Sequence, residues 1–270
     1  MLHGLRGPGM TDAIDSTIAG PLDRDQIEAC REQGFVVVRG LLGREYMSEI
    51  QEWASEIESW PEIPGKYMLY FEQKGSGSGD RLLNRAEDLT SFHHGLHALM
   101  ESPEIVGAVA QIFGEPAVLF KDKINFKMPG GGGFEAHQDV QAGWDTYADL
   151  HITAMLSIDA GTIENGCLEF APGCHREGLI GQAWTPLTDS ALSENSYEKI
   201  ATEPGDAVFF DSYAPHRSAR NTTDKPRRVA YFTYNKASQG DHREQYYADK
   251  RASYPPDIER LPDKDYRFRV

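Results

Sequence analysis

The chain has 270 residues, 40% of them hydrophobic, with 26 glycines and 15 prolines. That is enough for one substantial core, and it suits a turn-rich fold better than a helical bundle. The formal net charge of −15 argues against nucleic acid or anionic membrane as a partner, since both would repel the chain at long range; a small anion is still admissible where basic groups gather locally.

No apolar run reaches the roughly 20 residues that span a bilayer, and the first residues lack the apolar core of a secretory signal. Cys30, Cys167 and Cys174 form no CxxC and no paired framework. They read as packing residues in a reducing compartment, so a cytoplasmic location is expected. Residues 1–20, rich in glycine and small side chains, read as a flexible N-terminal arm.

Helices are predicted over Asp23–Gln33, which Gly34 stops, and over Tyr46–Trp60, where Met47, Ile50, Trp53, Ala54 and Ile57 recur at helical spacing. Between them, Phe35–Gly40 is a β-branched run and hence a strand. Residues 61–90 read as irregular, with a flexible Ser76–Asp80 loop. Leu89–Met100 and Pro103–Phe113 read as two further helices.

From Pro116 the character changes to strands and turns. Ala117–Met128 sets Lys121, Lys123, Asn125 and Lys127 on one face, and that face points either to solvent or into a site that handles anions. Leu150–Ile158, Gly166–Phe170, Asp206–Ser212 and Arg228–Asn235 are further strands. The expected fold is mainly β with flanking helices, as an antiparallel barrel or double-sheet jelly roll. It divides into a helical layer (21–115), a jelly-roll core (116–236) and a tail (237–270) that wraps the outside or covers a mouth, all in one domain over 21–270. Monomer and homodimer both remain open.

The chemistry centres on Gly130–Gly133 followed by Phe134-Glu135-Ala136-His137-Gln138-Asp139. On a strand, His137 and Asp139 share one face, two thirds of the 2-His-1-carboxylate triad that holds Fe(II) with open positions. The second imidazole has four candidates: His151, His175, His216 and His242. His216 follows a strand at a turn, and Arg227, eleven positions on, heads the next strand, so a hairpin returns it alongside, ready to fork onto a carboxylate. Ser218 can add a hydroxyl to the same carboxylate. His175, in the Pro172-Gly173-Cys174-His175 turn, competes for the ligand role, and a core histidine is the bland reading of His216. A carboxylate-binding arginine beside Fe(II) suggests a metal-chelating 2-oxo acid co-substrate.

His137-Gln138-Asp139, the run from Glu164 to His175, and His216-Arg217-Ser218 with Arg227 together resemble the phytanoyl-CoA dioxygenase family over roughly residues 25–240. The resemblance implies an Fe(II)- and 2-oxoglutarate-dependent oxygenase on a double-stranded β-helix (jelly-roll, cupin-like) core. It implies that His137, Asp139 and His216 are the iron ligands. Arg227 would hold the distal carboxylate of 2-oxoglutarate with Ser218, and Lys121, Asn125 and Phe134 would help to hold the co-substrate. The family's Pro-Gly-Ser-His is Pro172-Gly173-Cys174-His175 here. Its halogenases lack the carboxylate ligand; Asp139 is present, which favours hydroxylation, with O2 consumed and succinate and CO2 released. Within the family, the Lys121–Lys127 strand, the glycine run and the Tyr247–Arg251 tail look most like members acting on small polar metabolites, 2-aminoethylphosphonate among them.

Gln141 and Trp144, after the HxD, are candidates to line the substrate pocket, and Tyr67, Arg81 and Asn84 are candidates for a lid. Surface or packing roles are the competing reading for each. Asp145 is available to a cationic amine. The alternatives to an oxygenase are a non-catalytic small-molecule-binding jelly roll and a cupin-type metalloenzyme without 2-oxoglutarate.

Overall fold

The computed structural model describes residues 18–73, 81–188, 190–192 and 196–266; the expected arm up to residue 17 and the Ser76–Asp80 loop lie outside the described residues. In chain order the helices are α1 (Arg24–Gln33), α2 (Arg44–Glu58), α3 (His94–Met100), α4 (Ala108–Phe113) and α5 (Arg243–Ser253). The strands are β1 (Phe35–Val38), β2 (Met68–Gln73), β3 (Arg81–Glu87), β4 (Ala117–Lys127), β5 (Phe134–His137) and β6 (His151–Ser157). They continue with β7 (Leu168–Phe170), β8 (Glu198–Ile200), β9 (Ala207–Asp211), β10 (His216–Ser218) and β11 (Arg227–Lys236).

Among the described residues the strands form a seven-stranded sheet, β1-β9-β6-β11-β4-β3-β2, and a four-stranded sheet, β5-β10-β7-β8. All pairings are antiparallel. The two sheets face each other across Phe35, Met155, Phe170, Phe210, Val229 and Tyr231, with the Phe35 and Phe170 rings stacked at 4.6 Å. The other face of the large sheet carries Ile124, Phe126, Ala154, Leu156, Phe209 and Phe232, which pack with Ile50, Ala54 and Ile57 of α2 and with Ala108, Val109 and Phe113 of the α4 layer. This is the jelly roll with a helical layer that the sequence leads one to expect.

Local chemistry explains several boundaries. Asp23 caps α1 by accepting from the Gln26 amide, while the Gln26 side chain accepts from the Asp23 amide, a complete capping box. Gly34 ends the helix at φ +83, a conformation that disfavours residues with a Cβ. The third helix begins at His94, not at Leu89, because the buried Asp122 carboxylate takes the Leu89 and Thr90 amides at 2.6 and 3.2 Å and holds that stretch as a turn. The fourth opens with a wide π-type turn over Pro103–Gly107 before α4.

Three elements differ more from expectation. Residues 61–90 are not irregular throughout, since β2 and β3 form there. A register shift between Tyr70 and Phe71 breaks their alternation, so neither strand carries a period-two signal. They are ordered by the edge of β4, against which Arg85, Ala86 and Glu87 register with Asn125, Ile124 and Lys123. The tail contains α5, whose buried Tyr246 and Tyr247 pack with Met68, Tyr70, Phe120 and Trp144 at one end of the sandwich. Finally, β8 pairs with β7, a three-residue strand too short to show a pattern.

Candidate metal centre

The four-glycine run brings β5 close to β10. At Gly133 a Cβ would lie 2.5 Å from the Ser218 carbonyl oxygen, so the approach needs a residue without one. The strand ends at His137, and Asp139 opens a short 3-10 turn, so the two do not share a strand face as the period-two argument assumes. The turn still carries the carboxylate back: His137 Nε2 lies 3.8 Å from Asp139 Oδ1. Gln138 makes that turn rigid, because its buried side chain donates to the Gly178 and Tyr213 carbonyls and accepts from the Ile180 amide.

His216 pairs directly with His137 across the β10–β5 ladder, and the two rings lie 4.3 Å apart. Ligand atoms of His137, Asp139 and His216 all fall within 4.8 Å of one another. Each imidazole has its Nδ1 against a backbone carbonyl, Glu135 at 2.7 Å and Ala214 at 3.0 Å. A carbonyl only accepts, so Nδ1 carries the proton and the Nε2 lone pair is left bare for a cation. Burial and the His216 charge pull His137 down to about 4, and burial also lowers His216. Burial alone would raise Asp139, but the surrounding His216, His137 and Lys123 charges hold it below its ordinary value. All three groups are therefore in their ligating forms at neutral pH.

The rival histidines lie elsewhere or face another way. His175 Nε2 sits 3.1 Å from the Arg31 carbonyl on the outside of α1. His242 contacts the Gln239 carbonyl beside α5. His151 is buried between Phe120 and Trp144 with no hydrogen-bond partner on Nε2, and burial holds it near 3.

One end of the interior holds a buried arginine with a donor to spare. Arg227 is 3% exposed, and its Nε has no hydrogen-bond partner among the described residues. Asn125 Oδ1 is likewise buried and unpartnered. Tyr231 couples the two, and burial pushes its hydroxyl up to about 12. Arg227 pairs across the ladder with Lys127, whose Nζ donates to Ser218 Oγ at 2.7 Å and to the Ala219 carbonyl, and lies 5.7 Å from the Phe134 ring centre. A buried guanidinium donor without a partner is rare in a finished core, so a bound anion is the fitting complement to Arg227.

The structure thus gathers Arg227, Ser218 and Phe134 around Lys127, with Asn125 joined to Arg227 through Tyr231. It does not place Lys121 with them. Six residues from Lys127 along β4, or roughly 20 Å of strand, Lys121 lies 4.0 Å from Glu87 and over the Trp144 ring.

Most of the expected substrate contacts need correction. Tyr67 donates to the Pro61 carbonyl and stacks on Trp60 in the helix-side core. Arg81 is exposed, pairing with Glu62 and Asp257. Gln141 is fully buried and committed to Gln138, Gln182 and Thr185 as loop scaffolding. Asn84 falls at the β2–β3 register shift, half-buried, while its neighbour Arg85 is the buried arginine of that strand. Asp145 is exposed. Trp144 is buried against Phe120, His151 and Lys121. Sequence reasoning placed Lys123 on the polar face of β4 and named His151 among the candidate ligands, but missed Tyr231, Arg85, Glu87 and Lys250.

The model of the phytanoyl-CoA dioxygenase family matches residues 30–229. The chain is 41% identical over 244 residues to the 2-aminoethylphosphonate dioxygenase of uncultured bacterium HF130_AEPn_1, covering 90% of this chain and 93% of that protein. It is 40% identical over 234 residues to the methylphosphonate hydroxylase of Gimesia maris, covering 86% and 88%. Among solved structures, EctD from S. alaskensis with 2-oxoglutarate and 5-hydroxyectoine superposes with a TM-score of 0.70 at 18% identity, covering 82% of this chain and 78% of that one, a likeness of fold. With both the shared region and the whole-length relatives in agreement, the chain belongs to the phytanoyl-CoA dioxygenase family.

Proposed function

We propose that this protein is an Fe(II)- and 2-oxoglutarate-dependent dioxygenase that hydroxylates a C–H bond of a small phosphonate such as 2-aminoethylphosphonate. The observation that carries the reaction class is the convergence of two bare Nε2 atoms and one carboxylate beside a buried arginine whose Nε lacks a partner. The phosphonate substrate rests on the two relatives of about 40% identity, both named for phosphonates.

His137, Asp139 and His216 fit Fe(II), since two imidazoles and one carboxylate on one side of the ion leave positions open. Arg227, with Asn125 and Tyr231 beside it, would take the far carboxylate of 2-oxoglutarate. When bound, iron and the oxo acid supply the oxidising chemistry, in which succinate and CO2 are released and one oxygen atom of O2 enters the substrate. The chain does the rest. The Glu135 and Ala214 carbonyls fix both ring orientations, and the Phe170 and Phe210 rings, 5.6 and 5.0 Å from the His216 ring, keep water from that side. A cupin centre of three histidines and a glutamate does not match this donor set.

The test is succinate formation by the Fe(II)-loaded protein with 2-oxoglutarate across 2-aminoethylphosphonate, methylphosphonate and non-phosphonate amines, with Arg227→Ala as control. Phosphonate-stimulated succinate, lost in the control, is expected. If anaerobic addition of 2-oxoglutarate to the iron-loaded protein gives no visible charge-transfer band, the assignment of the site is wrong.

A further inference from the structure

The polar face of β4 points inward and carries more positive charge than its surroundings neutralise. At the end away from Arg227, one buried carboxylate, Glu87, meets Arg85 at 2.7 Å and Lys250 at 2.5 Å. Both its oxygens are thereby engaged. Lys121, 6% exposed, is left 4.0 Å from the same oxygen with no hydrogen bond, resting over Trp144 and Tyr246 at 5.0 and 5.4 Å. Lys123 has neither a hydrogen bond nor an ion pair among the described residues and lies over the Tyr231 ring at 4.7 Å. Its charge bears on His137, Asp139 and His216, and Asp139 feels Lys121 as well.

Lys121 is buried and Lys123 half-buried on an inward face, and ammonium groups so placed favour a counter-anion, because desolvating an uncompensated cation is costly. Burial and the neighbouring Lys121 charge pull Lys123 down to about 8, as expected of a cation short of counter-charge. Arg227, which would take the far carboxylate of the co-substrate, lies four ladder positions beyond Lys123 on the β4–β11 pair, so that carboxylate does not supply the charge.

We propose that Lys121 and Lys123 form the recognition site for the phosphonate group of the substrate, and that Lys250 of α5 keeps it open by occupying Glu87. This rests on the oxygenase reading above and reassigns Lys121 from co-substrate to substrate. Lys250 is a positioning residue: it holds the one carboxylate that would otherwise close on Lys121. It lies outside residues 30–229, the part matched by the family model, as does Tyr246. Substrate choice is therefore assembled partly by the C-terminal helix, while the metal centre lies wholly within the shared region.

The test is calorimetric titration of the anaerobic protein, loaded with Fe(II) and 2-oxoglutarate, with 2-aminoethylphosphonate, methylphosphonate, β-alanine and ethylamine. Both phosphonates are expected to bind at least tenfold more tightly than ethylamine. Lys123→Gln should weaken both phosphonates at least tenfold, and because it removes a cation lowered by burial and no hydrogen bond or ion pair among the described residues, that variant should unfold no earlier than the wild type. Lys250→Met should weaken them by a similar factor, with Lys250→Arg restoring binding, a rescue that a merely structural contact to α5 would not produce selectively for phosphonates. Phosphonate binding unchanged in Lys123→Gln, or ethylamine bound as tightly as the phosphonates, overturns the proposal. The visible band on adding 2-oxoglutarate separates the two failures. A band with unchanged phosphonate affinity sinks only the subsite, and no band in the wild type sinks the oxygenase reading beneath it.

Discussion

Lys127 Nζ donates to Ser218 Oγ at 2.7 Å, tying the central β4 of the large sheet to β10 of the small one next to His216. The same ammonium reaches the Gly166 and Ala219 carbonyls, so one buried cation gathers three segments at the Arg227 end of the interior. Burial first, and the Arg227 charge second, pull it down to about 7.

A lysine depressed in the folded state binds fewer protons there than in the unfolded chain, whose lysines titrate near 10.5. Its cost to stability is fully present below pH 7 and fades as pH rises toward 10. Wild-type stability should therefore rise relative to Lys127→Met across pH 7–10, read from urea unfolding midpoints. Parallel curves for the two proteins would show that Lys127 keeps an ordinary pKa.

Acid acts through the metal centre. His137 falls from 6.5 to about 4 on folding, so between those values the unfolded chain holds a proton that the folded protein does not. Stability of the metal-free protein should drop as pH falls from 6.5 to 4, by on the order of 3 kcal/mol from this residue alone. His216 and Asp139 are also lowered and act in the same direction. Thermal unfolding of His137→Gln beside the wild type isolates the contribution, since the variant should show a shallower acid limb. Iron affinity, measured separately, should stay nearly flat from pH 6 to 8.

Arg227→Met should raise the KM for 2-oxoglutarate about 100-fold, the loss expected for a charge-assisted pair made away from water. Fe(II) binding, read by equilibrium dialysis, should fall far less, because the three metal donors are untouched. An unchanged KM would mean that the co-substrate carboxylate binds elsewhere.

Gly166 has φ +74, and a Cβ there would lie 2.0 Å from the Ala219 carbonyl oxygen. Strain and overlap together predict that Gly166→Ala loses about 2 kcal/mol or more in denaturant unfolding. Because Ala219 follows Ser218, that variant should also loosen 2-oxoglutarate binding. Gly43→Ala, with nothing within 4 Å of the added methyl and only the capping preference at the start of α2 to lose, is the control for overlap and should cost less.

Much of the molecule was legible before any coordinates. The helices over 24–33 and 44–58 and the strands at 117–127, 151–157, 207–211 and 227–236 fall within a few residues of their expected bounds, because the helices show one buried face at period 3.6, the first strand alternates, and the other three are strand-forming runs buried on both faces and bounded by turn residues. The spacing of His137, Asp139, His216 and Arg227 survives translation into space because these residues sit on or beside adjacent strands of one fold. Even so, the route differs: Asp139 arrives through a turn, not a strand face.

By itself, the sequence determined the period of each long element, the capping residues and the order of the motifs, since those depend on neighbours along the chain. Only the tertiary structure decided which face of β4 was interior, that β2 and β3 exist, and that Arg85 rather than Arg81 is the buried arginine. It alone brought Lys250, 163 positions from Glu87 in the chain, onto that carboxylate, held Lys121 4.0 Å from it, and left Lys123 without an ion pair among the described residues. Charge balance in a buried space is a sum over residues from distant strands and a terminal helix, and no local pattern in the chain encodes that sum.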